Sequence, residues 1–131
     1  MNQDSLLDRI SAHFEAQPFI DAVRGVSGAL QRRSDRILSD SIEAQEHVCA
    51  WLADPCDVNE RLVRAVAEQL NYKGIWGSLC AAIVWREGAN MIDPALGVAA
   101  APKGLSAKML AAAVLNAAKD DPSLLGEFGA A

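Results

Sequence analysis

Gly74-Ile75-Trp76-Gly77-Ser78-Leu79-Cys80-Ala81-Ala82-Ile83-Val84-Trp85 is apolar on nearly every side of any helix it could form. A helix without a polar face has to be surrounded by protein. The stretch therefore predicts a buried central helix over about 74–87, with Gly77, Ser78, Ala81 and Ala82 letting neighbouring backbones come close. The rest of the chain has to supply its walls.

Reading outward, Asn71 to Gly74 is a turn, and Leu62, Val63, Val66 and Leu70 before it make an apolar stripe at helical spacing. Asp57-Val58-Asn59-Glu60 has the spacing of a capping box for that helix, with Asp in place of Ser or Thr. Asp54-Pro55 closes the preceding helix, Ser41 to Ala53, because a residue before proline is pushed out of the helical region. Ile42, Val48, Cys49 and Leu52 are its expected inner residues. Gln31 to Ser41 reads as a solvated connection or helix end. Phe19, Ile20, Val23, Val26 and Leu30 mark a second helix entered through Pro18, and Leu6, Leu7, Ile10 and Phe14 a first one ending before it.

Beyond the central helix, Gly88 to Gly104 holds turn residues and no sustained period, which predicts a long ordered loop. Ser106 is the expected cap of a last helix, with Met109, Leu110, Ala113, Val114 and Ala117 facing inward until Asp120-Asp121-Pro122 stops it. Residues 120–131 read as a loose tail. The fold class is all-α: a compact bundle of about five to six helices around the central one. At 131 residues, a single domain over 1–131 is the expectation.

A formal charge of −5 argues against a phosphate backbone or an anionic membrane surface as partner. No apolar run reaches the roughly 20 residues that span a bilayer, and the start lacks the pattern of a secretory signal, so a cytoplasmic location is expected. Cys49, Cys56 and Cys80 match no zinc or C-x-x-C spacing; Cys49 and Cys80 read as small packed hydrophobes and Cys56 as a turn residue.

Chemistry is thinly represented. Each of the two histidines, His13 and His47, stands alone in sequence and reads as a boundary residue, and a catalytic role would need it to meet a carboxylate or Cys56 in the fold. The glycines fit no phosphate-binding loop. No catalytic, metal-binding or cofactor-binding set is expected, and the chain is read as non-enzymatic. Arg24, Arg32, Arg33 and Arg36 form a solvated cationic run that could clasp an acidic partner. Of the three tryptophans, Trp51 and Trp76 are expected in the core. Trp85 stands where the central helix opens into the loop, beside Arg86 and before Asn90, Met91, Ile92 and Pro94. Aromatic, Met and Arg side chains are the types enriched at binding hot spots, so these six are the candidate partner-binding residues.

Trp51-Leu52-Ala53-Asp54-Pro55, Asn59-Glu60-Arg61, Ala65 to Ala67, Trp76-Gly77 leading into Ala81-Ala82 and Trp85, and Pro102-Lys103-Gly104-Leu105-Ser106-Ala107-Lys108 running into Ala112-Ala113-Val114 occur in this order. In that combination the chain resembles an uncharacterised family of small bacterial helical domains associated with type VI secretion gene neighbourhoods. The resemblance covers about Glu46 to Ala118, a family-like core over 45–119, and leaves 1–44 as a branch-specific part. It departs from the family at Arg86-Glu87-Gly88-Ala89-Asn90, where the family loop is richer in Ser, Gly and Pro. What it implies is a non-enzymatic adaptor or chaperone-like accessory protein that binds a secretion spike protein or an effector. Two alternatives stand beside it: an immunity protein neutralising a cognate toxin, and a helical self-associating structural protein, for which an apolar patch on the first or second helix would be the sign. A homo-oligomer is compatible with each.

Overall fold

A computed structural model describes residues 3–86, 90–93, 97–101 and 103–129. The chain runs α1 (Gln3–Glu15), α2 (Phe19–Arg32), α3 (Ile42–Ala53), α4 (Asp57–Gln69), α5 (Gly74–Val84), β1 (Asn90–Asp93), β2 (Gly97–Ala100), α6 (Leu105–Ala118) and α7 (Leu124–Glu127). It is an all-α bundle. Its one departure among the described residues lies in the expected loop, where β1 and β2 pair antiparallel with Asn90 opposite Ala100 and Asp93 opposite Gly97. Neither Asn90-Met91-Ile92-Asp93 nor Gly97-Val98-Ala99-Ala100 alternates apolar with polar residues, so no strand period announces them.

Every residue of α5 from Ile75 to Val84 is buried. It packs chiefly on α6 and α4, with α3 and α2 completing the surround, while α1 lies against α6. Helix α5 ends at Val84, earlier than the apolar run suggested, with the Trp85 N–H bonded to Ala81 O at 2.9 Å. Burial has a cost at its other end, because the first N–H groups of a helix have no partner within it. Asp40, from the α2–α3 connection, supplies one: its Oδ2 accepts from Ile75 N at 2.7 Å and its Oδ1 from Trp76 N at 3.1 Å. Cys80 lies in the same helix, and burial, with the Asp40 carboxylate adding, pushes its thiol up to about 12.

Local signals were met in part. Ser41, read as the first residue of its helix, is instead the N-cap of α3, accepting from Ala44 N at 3.1 Å, and Pro18 is the N-cap of α2. The Asp57 capping box does not form: the N-cap of α4 is Cys56, Asp57 is the first helical residue, and Glu60 turns to Arg86 instead. Ser106 likewise lies inside α6, whose N-cap is Gly104 at φ 83°. The inner face of α3 is Ala44, Val48 and Trp51, leaving Ile42 exposed, and that of α4 is Val63, Val66 and Ala67, leaving Leu62 exposed.

Residues 120–129 are not loose. Leu124 and Phe128 are buried, and Phe128 packs on Phe14 with ring centroids 5.3 Å apart. A segment of one turn shows no helical period, but large apolar side chains are enough to anchor it. No helix among the described residues is long and apolar enough to cross a membrane.

The α4–α5 turn carries two non-glycine residues in the left-handed region, Asn71 at φ 54° and Tyr72 at φ 57°. Asn71 is exposed, so Asn71→Gly should relieve strain at no packing cost. We expect a gain of about 0.5 kcal/mol by urea denaturation, because glycine loses the side-chain penalty there but adds unfolded-state entropy.

Candidate functional site

Pro18 cannot continue α1 and redirects the chain into α2, which sets Phe14 and Phe19 on one wall. Gly104 opens α6 so close to the end of α1 that a Cβ there would stand 2.9 Å from Glu15 Oε1. Between these two reversals lies a cleft of about 630 Å³. Its inner surface is apolar, from Phe14, Phe19, Ala22, Ala107 and Leu110, and its charged lining comes from Glu15, Arg86 and Lys103. That volume is within the range of sites that enclose a small molecule or a few side chains of a partner.

Arg86 is held rather than free. It donates to Ile83 O at 2.9 Å and reaches Glu60 Oε1 at 2.6 Å, and Glu60 lies 3.8 Å from Arg64 on the same helix. The pair ties the exit of α5 to the start of α4. A bidentate-capable guanidinium fixed in this way presents its remaining N–H groups in a set direction. Lys103 is exposed and makes no ion pair with the described residues.

The expected partner-binding residues separate. Arg86 lines the cleft, whereas Trp85 stacks on Tyr72, centroids 4.4 Å apart at 25°, with its ring half-buried against the α4–α5 turn. Burial, and then the Glu68 carboxylate, raise the Tyr72 phenol above its usual value against the opposing Arg64. Asn90, Met91 and Ile92 lie on β1, whose side chains fall outside the described residues, as does Pro94 altogether. Phe14, Phe19, Glu15 and Lys103 were not foreseen as site residues; the signals were the Pro18 reversal and the Lys103-Gly104 pair.

The other sequence candidates are accounted for internally. Trp51 and Trp76 are core residues. His13 packs edge-on to Phe14 and Phe128, and His47 sits 3.8 Å from Glu43 one helical turn away. Cys80 is buried, whereas Cys49 is only partly so and accepts from Gln31 Nε2 at 3.5 Å; all three thiols are free. Among the described residues no group of three His, Cys, Asp or Glu is placed to hold a metal ion. The arginine run clasps an acidic segment of its own chain: Arg32 reaches Glu127 at 2.8 Å, Arg33 reaches Glu127 at 3.1 Å and Asp121 at 3.3 Å, and Arg36 reaches Asp121 at 3.1 Å. Arg24 stands apart, 3.9 Å from Asp21.

Residues 10–129 match a family described as a family of unknown function (DUF6931). No curated protein and no solved structure matches the chain.

Proposed function

We propose that this chain, which belongs to that family of unknown function, is a non-enzymatic adaptor or chaperone-like accessory protein that seats a segment of another protein in the α1–α2–α6 cleft. The observation that carries the reading is the cleft itself, with an apolar inner surface and a lining that bears both signs of charge. Such a surface suits an amphipathic segment, apolar toward Phe14, Phe19 and Leu110 and polar toward Glu15, Arg86 and Lys103. The type VI secretion setting rests on the motif resemblance from Trp51 to Val114, and it makes a spike protein or an effector the partner to look for.

The test is an affinity capture from native cytosol with the full chain as bait, compared with Phe19→Asp and Lys103→Glu. Lys103 is exposed and Phe19 is half-buried, edge-on to Trp51 with centroids 6.2 Å apart, so circular dichroism of each variant checks that it is folded. Recovery of a spike protein or effector by the parent chain, reduced at least about tenfold in both variants, supports the reading; each lost contact of this kind is worth about 1.4 kcal/mol or more. Capture unaffected by both substitutions removes the cleft from the reading. The net charge of −5 favours one alternative, an immunity protein facing a basic toxin, and capture of a toxin alone would select it.

A further inference from the structure

The self-association patch looked for on the first two helices is absent from α2, where the exposed residues are Asp21, Arg24, Gly25, Gln31 and Arg32. Exposed large hydrophobic residues occur instead at Leu38, Ile42, Val58 and Leu62. The last two lie on α4, and with Ala65 and Gln69 they follow a 4-3-4 spacing along its outer side, every one of them exposed. That is the spacing of the a and d seam of a two-stranded coiled coil. Val63, Val66 and Ala67 hold the adjoining side of α4 in the core. The seam is therefore surplus to folding.

The charges beside the seam define what fits it. On its solvent flank the residues one turn from the seam positions are Arg61 and Glu68, both exposed, and neither makes an ion pair with the described residues. They are seven residues apart, about 10 Å along the axis, too far to pair with each other. An antiparallel copy of the same helix, related by a two-fold axis between Leu62 and Ala65, would bring Arg61 of each copy to Glu68 of the other. It would also set Leu62 against Ala65 and Val58 against Gln69. A parallel copy would put the Arg61 and Glu68 flanks on opposite sides of the interface and leave both without a partner. Self-complementarity of this kind is what a two-fold interface requires.

We propose that α4 is a homodimerisation surface, and that the partner it fits is a second copy of this chain packed antiparallel along Val58, Leu62, Ala65 and Gln69, with reciprocal Arg61–Glu68 pairs. Ala65 lets the two axes approach to about 8 Å. A four-turn helix covers less than the roughly 800 Å² per partner of a stable complex. The dimer is accordingly weak and concentration-dependent.

Sedimentation equilibrium of the full chain from micromolar to millimolar concentration tests this. The expected result is a monomer–dimer equilibrium that Leu62→Asp abolishes. Arg61→Glu and Glu68→Arg each weaken it at least about fivefold, because each sets like charges together at both ends of the interface. The double substitution Arg61→Glu/Glu68→Arg restores it toward the parent value. A parent chain monomeric throughout, a dimer indifferent to Leu62→Asp, or a double variant no tighter than the singles would each overturn the proposal. Far-UV circular dichroism and a urea midpoint establish that each variant is folded, and the charge-swap arm relies only on exposed positions.

Discussion

Replacing Phe128 with alanine should destabilise the protein by about 3 kcal/mol or more, a core-sized loss from a residue outside the long helices. Phe128 is only 5% exposed; it packs on Phe14 and faces His13, with ring centroids 5.3 and 6.3 Å away. Gly25 of α2 lies beside the ring, where an added Cβ would stand in ordinary contact at 3.9 Å. Because α7 is a single turn, it has little stability of its own. Its place depends on Phe128 and Leu124 below and on the Arg32, Arg33 and Arg36 clasp above. Loss of the ring should therefore release the segment from about Asp121 onward before the rest unfolds, seen as fast amide exchange confined to 121–129. Slow exchange there in the variant, with stability unchanged, would contradict this account.

The same clasp has a pH signature. The Ser123 hydroxyl, donating to Asp121 Oδ1 at 2.7 Å, holds the Asp121 carboxyl below its ordinary value of 3.8, with the Ser123 N–H and the Arg36 and Arg33 guanidiniums adding to it. A carboxyl with a folded value below its unfolded one stabilises the fold fully above the unfolded value and loses that contribution as pH falls through the folded one. The stability gap between the parent chain and Asp121→Asn should thus be constant at neutral pH and shrink below about pH 4. Thermal denaturation of the two proteins across that range measures it directly.

The second large effect is expected at the entry of α5. Asp40→Ala removes both acceptors that the Ile75 and Trp76 N–H groups use and should cost about 1–2 kcal/mol. Gly74→Ala should cost at least as much, about 2 kcal/mol, for two reasons that add. The residue sits at φ 82°, and an added Cβ would run into the Asp40 carboxylate. Because the second substitution acts partly by expelling the carboxylate that the first deletes, the double variant should be clearly less destabilised than the sum. Strict additivity in urea denaturation would mean that Asp40 and Gly74 act independently and that the cap carries little.

These two sites show where reading along the chain succeeds and where it stops. Helix α5 was legible because nothing else explains so many apolar residues without a polar face. Its partner Asp40 was not, because an acceptor 35 positions away from Ile75 leaves no local spacing to read. The capping box at Asp57 and Glu60 had the right spacing but lost to competition: Glu60 is taken by Arg86, a stronger charge-assisted contact than a single backbone N–H offers. Leu62 belonged to the apolar stripe by period alone, yet the packing of α4 against α3 and α5 turns Val63, Val66 and Ala67 inward and leaves Leu62 at the margin. The cleft itself left no such trace: Arg86 reads from sequence as part of an edge at Trp85, and Phe14 and Phe19 as members of helical apolar periods.

The all-α class, the buried central helix, the breaks at Pro18 and Pro55 and the burial of Trp51 and Trp76 were determined by the sequence itself, through hydrophobic period and proline geometry that act within a few residues. Tertiary structure alone decided which arginines are free, what caps α5, that the C-terminal segment is fastened, and that α1, α2 and α6 leave a cleft between them. The physical reason is the same in each case. Ion pairs, distant caps and concave surfaces are made by residues far apart in the chain, and their energies exist only once the helices have been brought together.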